Sequence, residues 1–329
     1  MKTKSLGTLG TTSEIGLGLM GMSDAYGPSD RRESIATIHA ALDAGITLLD
    51  TGDFYGMGHN ELLLREALRG RDREEVQISV KFGAQRSPDG AFLGFDGRPV
   101  AVKTSLAYSL QRLGVDYIDV YRPARLDPQV PIEDTVGAIK EMIDAGYVRH
   151  VGLSEVGAET IRRAHAVHPV SDLQIEYSLI SRGVEGAILT ALRELGVGLT
   201  AYGVLSRGLI GGHWSPDSGG NGDFRSRFPR FSGDNLDRNL ALVERLREVA
   251  AQLGVSVAQI AIAWVAAQGN DIVPLVGART RRRLTEALGA VDVELTDEQL
   301  AAIESAVPKG AAAGDRYEVA QMAMLDSER

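Results

Sequence analysis

The chain of 329 residues contains no cysteine. This absence excludes disulfide bonds, thiolate nucleophiles and metal sites with cysteine ligands, and it agrees with a reducing compartment. No run approaches the roughly 18 consecutive apolar residues that a membrane-spanning helix needs, and no apolar signal core follows Met1. We therefore expect a cytoplasmic protein without a membrane segment.

The chain has fewer basic than acidic residues. The 35 lysines and arginines stand against 44 aspartates and glutamates, which gives a formal net charge of −9. A surface of this sign does not suit the phosphate backbone of nucleic acids, so any anion site has to be local. None of the 6 histidines falls in a recognised metal-binding spacing. We expect no nucleic-acid partner and no metal, and oligomeric state is left open.

Short apolar runs alternate with helical patterns along most of the chain. A helix that starts at Asp30 and Glu33 is followed by the run from Ile46 to Asp50, which is typical of a strand buried on both faces of a parallel sheet. The other strand candidates are 15–19, 76–80, 117–121, 149–153, 172–176, 197–202 and 272–276. Eight β-then-α units without a linker predict one α/β domain over 1–329, a closed (β/α)8 TIM barrel rather than an open doubly wound sheet.

Two segments depart from this alternation. The stretch of about 206–234, after the seventh strand, is rich in Gly, Ser, Pro and Arg, and loops of this length in compact domains are usually functional. Helix resumes at Thr296, with Gln299 as its capping partner. A tail of about 308–329 follows, and we expect it over the mouth of the barrel.

The segment 16–21 matches the dinucleotide fingerprint G-x-G-x-x-G and follows a predicted strand. Gly27 and Pro28 come soon after it, so no helix starts on the third glycine as a Rossmann fold requires. We therefore expect these glycines to let the backbone approach a ligand at the end of the first strand.

Three polar residues are predicted to meet at the barrel mouth, where the chemistry of such barrels gathers. Asp50 ends the second strand, Tyr55 follows it closely, and Lys81 ends the third strand. An ammonium beside a phenol lowers the phenol pKa from about 10, and a carboxylate keeps that ammonium charged. Taken singly, the three also fit a structural ion pair, a loop aromatic and a solvated charge. Because the chain has only six lysines, one at a strand end favours function.

A cluster of four arginines in the segment 277–283 opens a helix after the eighth strand. Cations at a helix N-terminus oppose the macrodipole unless an anion is bound. A phosphate would satisfy both the arginines and the free backbone N–H groups, and barrels often bind phosphate at this place. The alternative is a solvated arginine-rich face. If the bound anion is the phosphate on the ribose of a nucleotide, the arginines favour NADPH over NADH.

Together these motifs resemble the aldo-keto reductase superfamily over nearly the whole chain. The segments that carry the resemblance are 48–56, 79–83, the glycines before Met22, 152–154 with Gln174, 201–205 and 277–286. The resemblance implies NADPH-dependent reduction of an aldehyde or ketone to an alcohol, or the reverse oxidation. It implies Asp50, Tyr55 and Lys81 as catalytic residues, with Tyr55 as the general acid and base.

The resemblance also implies where the cofactor and the substrate bind. Ser154 and Gln174 would hold the nicotinamide carboxamide, and Tyr202 would stack on the nicotinamide ring. The full set of expected cofactor residues is Gly21, Met22, Asp50, Ser154, Gln174, Tyr202, Gly203, Leu205, Arg207, Gly277, Arg279, Arg283 and Glu286. The expected substrate pocket contains Tyr26, Ala124, Arg125, Trp214 and Phe224.

The chain departs from the family pattern at Ala124, which stands where the fourth catalytic residue, a histidine, is expected. A water, Arg122 or Arg125 would have to fill the gap, or the pocket is enlarged for a bulkier substrate. Glu155 stands in place of the usual asparagine beside Ser154. Loss of the histidine leaves a second class of function open, an NADPH-binding regulatory protein or subunit with little turnover. The retained trio favours the enzyme.

Overall fold

A computed structural model describes residues 1–23, 25–214 and 224–329, with the backbone alone at Phe224. Its strands are β1 (Thr3–Ser5), β2 (Thr11–Ser13), β3 (Gly16–Gly18), β4 (Leu48–Gly52), β5 (Gln77–Phe82), β6 (Ala84–Arg86), β7 (Phe92–Phe95), β8 (Ile118–Pro123), β9 (Val148–Ser154), β10 (Val170–Glu176), β11 (Gly198–Tyr202) and β12 (Ile272–Gly277). Strands β3, β4, β5, β8, β9, β10, β11 and β12 form a closed parallel barrel in this order, with β12 paired to β3. The predicted barrel is confirmed, and all eight predicted strands end within two residues of their expected limits.

Helices follow the barrel strands along the chain. They are α1 (Arg31–Asp43), α2 (His59–Ala67), α3 (Pro99–Leu113), α4 (Ile132–Asp144), α5 (Ala158–Val167), α6 (Ala187–Leu195), α7 (Gly233–Gln252), α8 (Val257–Ala267), α9 (Arg281–Leu288), α10 (Asp297–Ala306) and α11 (Val319–Met322). Within the described ranges, no helix alone has both the length and the apolarity to cross a bilayer. Only α7 and α8 taken together meet those criteria, and they are bent by 87°.

Three features of the fold were not predicted from the sequence. The β1–β2 and β6–β7 hairpins consist of strands of 3 or 4 residues, too short for alternation to be visible. Helix α8 is buried on most sides and therefore lacks an amphipathic period. Its start did carry a signal, because Ser256 and Gln259 form a reciprocal capping box.

Polar contacts at helix starts fix the outer layer. Asp30 caps α1, as predicted, by accepting a hydrogen bond from the Glu33 N–H at 2.7 Å. The predicted box is only half formed, because the Glu33 carboxylate pairs with Arg281 at 2.9 Å and so ties α1 to α9. Thr296 and Gln299 form the predicted reciprocal cap of α10.

The N-terminal hairpin is fastened to the start of β12 by one lysine. The Lys4 Nζ donates hydrogen bonds to the carbonyl oxygens of Ala266, Gly269 and Ile272 at 2.6, 2.9 and 2.8 Å. Burial lowers the pKa of Lys4 to about 8. This end of the barrel is opposite the strand ends that carry the predicted site, so Lys4 serves the fold.

Candidate active site

A cavity of about 1050 Å³ opens at the C-terminal ends of the barrel strands. Its wall combines strand ends, the β6–β7 hairpin, the turn after β11, the start of α9 and the C-terminal tail. The sequence-predicted residues on this wall are Gly21, Tyr26, Asp50, Tyr55, Lys81, Ala124, Arg125, Gln174, Tyr202, Gly203, Leu205, Arg207, Trp214, Gly277, Arg279, Arg283 and Glu286. The structure therefore brings most of the predicted site into one place.

Three predicted residues are not on the cavity wall. The side chain of Met22 is packed in the hydrophobic core. Ser154 is fully buried behind the wall, where its hydroxyl contacts Arg125. The side chain of Phe224 lies outside the described part of the chain.

Asp50, Lys81 and Tyr55 converge on the wall. Asp50 on β4 and Lys81 on the neighbouring β5 form an ion pair through the Asp50 Oδ2. The other carboxylate oxygen, Oδ1, accepts hydrogen bonds from the Ser79 hydroxyl at 2.9 Å and the Gln174 amide at 2.8 Å. The Lys81 Nζ lies 5.4 Å from the centre of the Tyr55 ring. The carboxylate is therefore held rigidly, and the ammonium is beside the phenol.

Burial governs the proton affinities of this group. It raises the pKa of Tyr55 well above its usual value, and the Asp50 carboxylate raises it further. It lowers the pKa of Lys81 to about 8, against the opposing pull of Asp50. The lowered Tyr55 pKa expected from the sequence is wrong, because desolvation dominates and the negative charge of Asp50 offsets the effect of the ammonium on the phenol. Tyr55 consequently keeps its proton at neutral pH.

Ala124 leaves the wall without a side-chain polar atom where the family pattern has histidine. The next residue, Arg125, lines the cavity. Its Nη1 donates to the Ala124 carbonyl at 2.7 Å and to the Ser154 hydroxyl at 3.2 Å. Its Nη2 donates to the Tyr317 hydroxyl at 3.3 Å. A guanidinium therefore lies beside Ala124, the position where the family pattern has histidine.

Arg122, the other arginine considered as a replacement for the missing histidine, faces the barrel interior. Its Nη1 and Nη2 donate to the Asp172 carboxylate at 2.9 and 3.1 Å, and Nη2 also donates to the Ser79 hydroxyl at 3.1 Å. Gly152 makes room for it, since a Cβ there would lie 2.9 Å from the guanidinium carbon. Through Ser79 this buried pair supports Asp50 rather than the cavity.

The substituted position Glu155 finds its partner in the C-terminal tail. Its φ is 54°, in the left-handed region, and its carboxylate is fully buried. Arg316 donates to it with Nη1 at 2.8 Å and Nη2 at 2.6 Å, and the Tyr202 hydroxyl donates at 2.5 Å. Burial would raise the pKa of Glu155, but Arg316 holds it at about 2. The contacts of Arg316 with Glu155 form a latch that holds the C-terminal tail beside Tyr202, whose ring was predicted to stack on nicotinamide.

The sequence analysis missed two tail residues of this site, Arg316 and Tyr317. The Tyr317 hydroxyl lies 2.9 Å from that of Tyr202, and its ring lies 4.5 Å from the guanidinium carbon of Arg207. The signal that could have found them is an arginine–tyrosine pair in a stretch otherwise rich in glycine and alanine.

The arginine cluster at the start of α9 divides between the cavity and the outer surface. Arg279, Arg282 and Arg283 line the cavity, whereas Arg281 pairs with Glu33. Arg283 is paired with Glu286 at 3.0 Å. Among the described residues, no carboxylate lies within ion-pair distance of Arg279 or Arg282. Within the described ranges, Arg279 donates only to backbone carbonyl oxygens, at 2.9 to 3.2 Å. Two cations at this end of the cavity are thus available to an anion.

Aromatic side chains line much of the remaining wall. The β6–β7 hairpin contributes Phe92 and Phe95, whose ring centres are 5.0 Å apart. Phe54 and Trp214 line other parts of the cavity. The Trp214 Nε1 is buried without an acceptor in the described structure. This wall offers apolar surface to a bound molecule.

The chain was compared with known families and solved structures. The model of the aldo/keto reductase family matches residues 14–308. A probable aldo-keto reductase 1 from Glycine max is 42% identical over 316 residues, which cover 95% of this chain and 90% of that protein.

Solved structures show the same relationship. The glycerol dehydrogenase AKR11B4 from Gluconobacter oxydans superposes with a TM-score of 0.84 at 29% identity, over 92% of this chain and 94% of that one. The aldo-keto reductase AKR11C1 from Bacillus halodurans gives a TM-score of 0.78 at 26% identity, over 96% and 98%. The chain belongs to the aldo/keto reductase family of oxidoreductases, which generally use nicotinamide cofactors.

Proposed function

We propose that the protein reduces an aldehyde or ketone to an alcohol with NADPH, or runs the reverse oxidation, and that Tyr55 exchanges the proton. The observation that carries the proposal is the buried Asp50–Lys81 pair beside Tyr55 on the wall of a large cavity. A protein that only binds nucleotide has no need of this trio.

The cavity fits a dinucleotide phosphate. Its volume of about 1050 Å³ is at the upper limit of ordinary ligand sites, which span about 300–1,000 Å³. Arg279 and Arg282 would hold the phosphate of the ribose, and Gln174 and Tyr202 would hold the nicotinamide. When bound, the cofactor supplies the hydride.

The residues of this chain supply the proton. Tyr55 is protonated at neutral pH and donates its hydroxyl proton to the carbonyl oxygen as that oxygen gains negative charge. The Lys81 ammonium stabilises the phenolate that remains, and Asp50 keeps the ammonium charged. General acid catalysis of this kind contributes about 10²- to 10⁴-fold to the rate.

The proton role is tested by single-turnover oxidation of NADPH with a panel of aldehydes and ketones. We expect Tyr55→Phe to lose about 10²- to 10⁴-fold in rate while binding NADPH as the wild type does. The control is Tyr108→Phe, since Tyr108 is exposed on α3 and should leave the rate unchanged. Equal rates in wild type and Tyr55→Phe would remove Tyr55 from the reaction. NADPH binding without turnover of any carbonyl would support the regulatory alternative.

The cofactor preference is tested by fluorescence titration with NADPH and NADH. Loss of one charged hydrogen-bond donor should weaken NADPH binding by about 10- to 100-fold in Arg279→Ala and Arg282→Ala, with little effect on NADH. Arg281→Ala is the matched control, because it is in the same segment but pairs with Glu33 away from the cavity. Equal affinities for the two nucleotides in the wild type would contradict NADPH as the cofactor.

A further inference from the structure

One cation near Tyr55 has no ion-pair partner among the described residues. Among the described residues of the cavity wall, the carboxylates are Asp50 and Glu286, and Asp50 is paired with Lys81. No described carboxylate lies within ion-pair distance of the Arg125 guanidinium. A guanidinium stays charged at every relevant pH. Burial lowers the pKa of Arg125 and the Glu155 carboxylate raises it from beyond ion-pair distance, so the charge persists but no described anion contacts it directly.

The guanidinium of Arg125 is held in place, yet it keeps an open edge. Nη1 is fully used by the Ala124 carbonyl and the Ser154 hydroxyl, and Nη2 donates once, to the Tyr317 hydroxyl. Within the described ranges, no acceptor receives the Nε–H or the second hydrogen of Nη2. The Nε–H and the adjacent Nη2 hydrogen lie in the guanidinium plane along one edge, and that edge matches the two oxygens of a carboxylate.

The position of Arg125 relates this edge to the reacting centre. It lines the same cavity as Tyr55 and Lys81, and its charge acts on the protonation of both. The neighbouring Ala124 presents only a methyl group, so the side chain at the usual histidine position does not compete with Arg125 for a polar ligand. An anion bound by Arg125 would therefore lie close to the carbonyl that Tyr55 protonates.

We propose that Arg125, held by Ser154 and the tail residue Tyr317, binds a carboxylate of the substrate, and that the preferred substrates are carbonyl compounds that also carry a carboxylate. The proposal rests on the proposed function. It makes Arg125 a specificity-determining residue, and it gives the C-terminal tail a part in substrate choice.

The test compares meta- and para-carboxybenzaldehyde with their methyl esters, which have similar shape but no charge. We expect the wild type to reduce at least one acid with a kcat/KM about 10- to 100-fold above that of its ester, the range for a hydrogen bond to a charged group. Arg125→Met should lower kcat/KM for that acid more than for its ester, so that the ratio of acid to ester falls to about 1. Arg125→Lys, which keeps the charge without the fork, should retain part of the preference.

Three results would overturn the proposal. One is an ester reduced as fast as its acid by the wild type in both pairs. Another is an equal loss for acid and ester in Arg125→Met. The third is a loss of NADPH affinity in that variant, which would place Arg125 on the cofactor. If the protein reduces the esters but not the acids, the reductase function stands and only this inference fails. If no carbonyl compound supports oxidation of NADPH, the proposed function and this inference both fail.

Discussion

Removing Arg316 is the sharpest perturbation of the latch between the tail and the barrel. Its guanidinium donates to both oxygens of Glu155 and to Glu328, and it lies 3.6 Å from Glu176. In Arg316→Met the fully buried Glu155 keeps only uncharged donors, such as the Tyr202 hydroxyl at 2.5 Å. The variant therefore leaves a buried carboxylate without an ion-pair partner, and the Arg125 guanidinium acts on it only from a greater distance.

The size of the effect follows from that unpaired charge. Removing one partner of a buried ion pair costs about 3–5 kcal/mol of unfolding free energy. For 329 residues the unfolding entropy is about 0.7 kcal/mol/K, so the melting temperature should fall by about 4–7 °C. Replacing Glu155 by Gln in the Arg316→Met background removes the stranded charge and should recover much of the loss.

The assay is denaturant and thermal unfolding of the four proteins of this double-mutant cycle. Arg329→Met is the control, since among the described residues the side chain of this arginine of the same tail hydrogen-bonds only to the Ala323 carbonyl, at 3.0 Å. The dependence of unfolding on pH in the acid range is a second measurement. Because the pKa of Glu155 is about 2 when folded and ordinarily 4.5, the pair stabilises the wild type fully above about pH 4.5 and progressively less toward pH 2. A loss below 1 kcal/mol in Arg316→Met, or no recovery in the double variant, would refute the latch.

Two further predictions concern lysines at opposite ends of the barrel. Because the pKa of Lys81 is about 8, its ammonium is present below that pH and lost above it, so kcat/KM for carbonyl reduction should fall as pH rises through about 8; a flat profile from pH 6 to about 9 would speak against the ammonium. Lys4→Met removes three hydrogen bonds to carbonyl oxygens and should lower the unfolding free energy by about 2–3 kcal/mol while the folded enzyme keeps its wild-type kcat and KM. Unchanged melting of Lys4→Met would show that water replaces the ammonium at no cost.

The barrel was predictable because its evidence is local. Each buried parallel strand is a short apolar run, and each run is followed by a helical pattern, so the order of elements could be derived without any knowledge of contacts. Asp50 and Lys81 could be placed at neighbouring strand ends for the same reason. Once the barrel closes, their adjacency follows from the topology.

What could not be predicted depends on burial and on distant partners. The pKa of Tyr55 rises because of desolvation, which no sequence pattern reports. The partner of Glu155 is Arg316, 161 positions along the chain, in a segment without periodicity. Met22 matched the family segment, yet its side chain is packed in the core. Arg122 and Arg125 are three residues apart, but only the structure shows that one faces the barrel interior and the other the cavity.

The most direct test of the whole account follows a labelled hydride. NADPH deuterated at the transferable position of the nicotinamide is mixed with a carbonyl substrate, and the alcohol is analysed by mass spectrometry. We predict one deuterium per alcohol, on the former carbonyl carbon, with the wild type, and almost no labelled alcohol with Tyr55→Phe at equal NADPH occupancy. Alcohol without deuterium, or equal labelled product from Tyr55→Phe, would contradict the proposed chemistry.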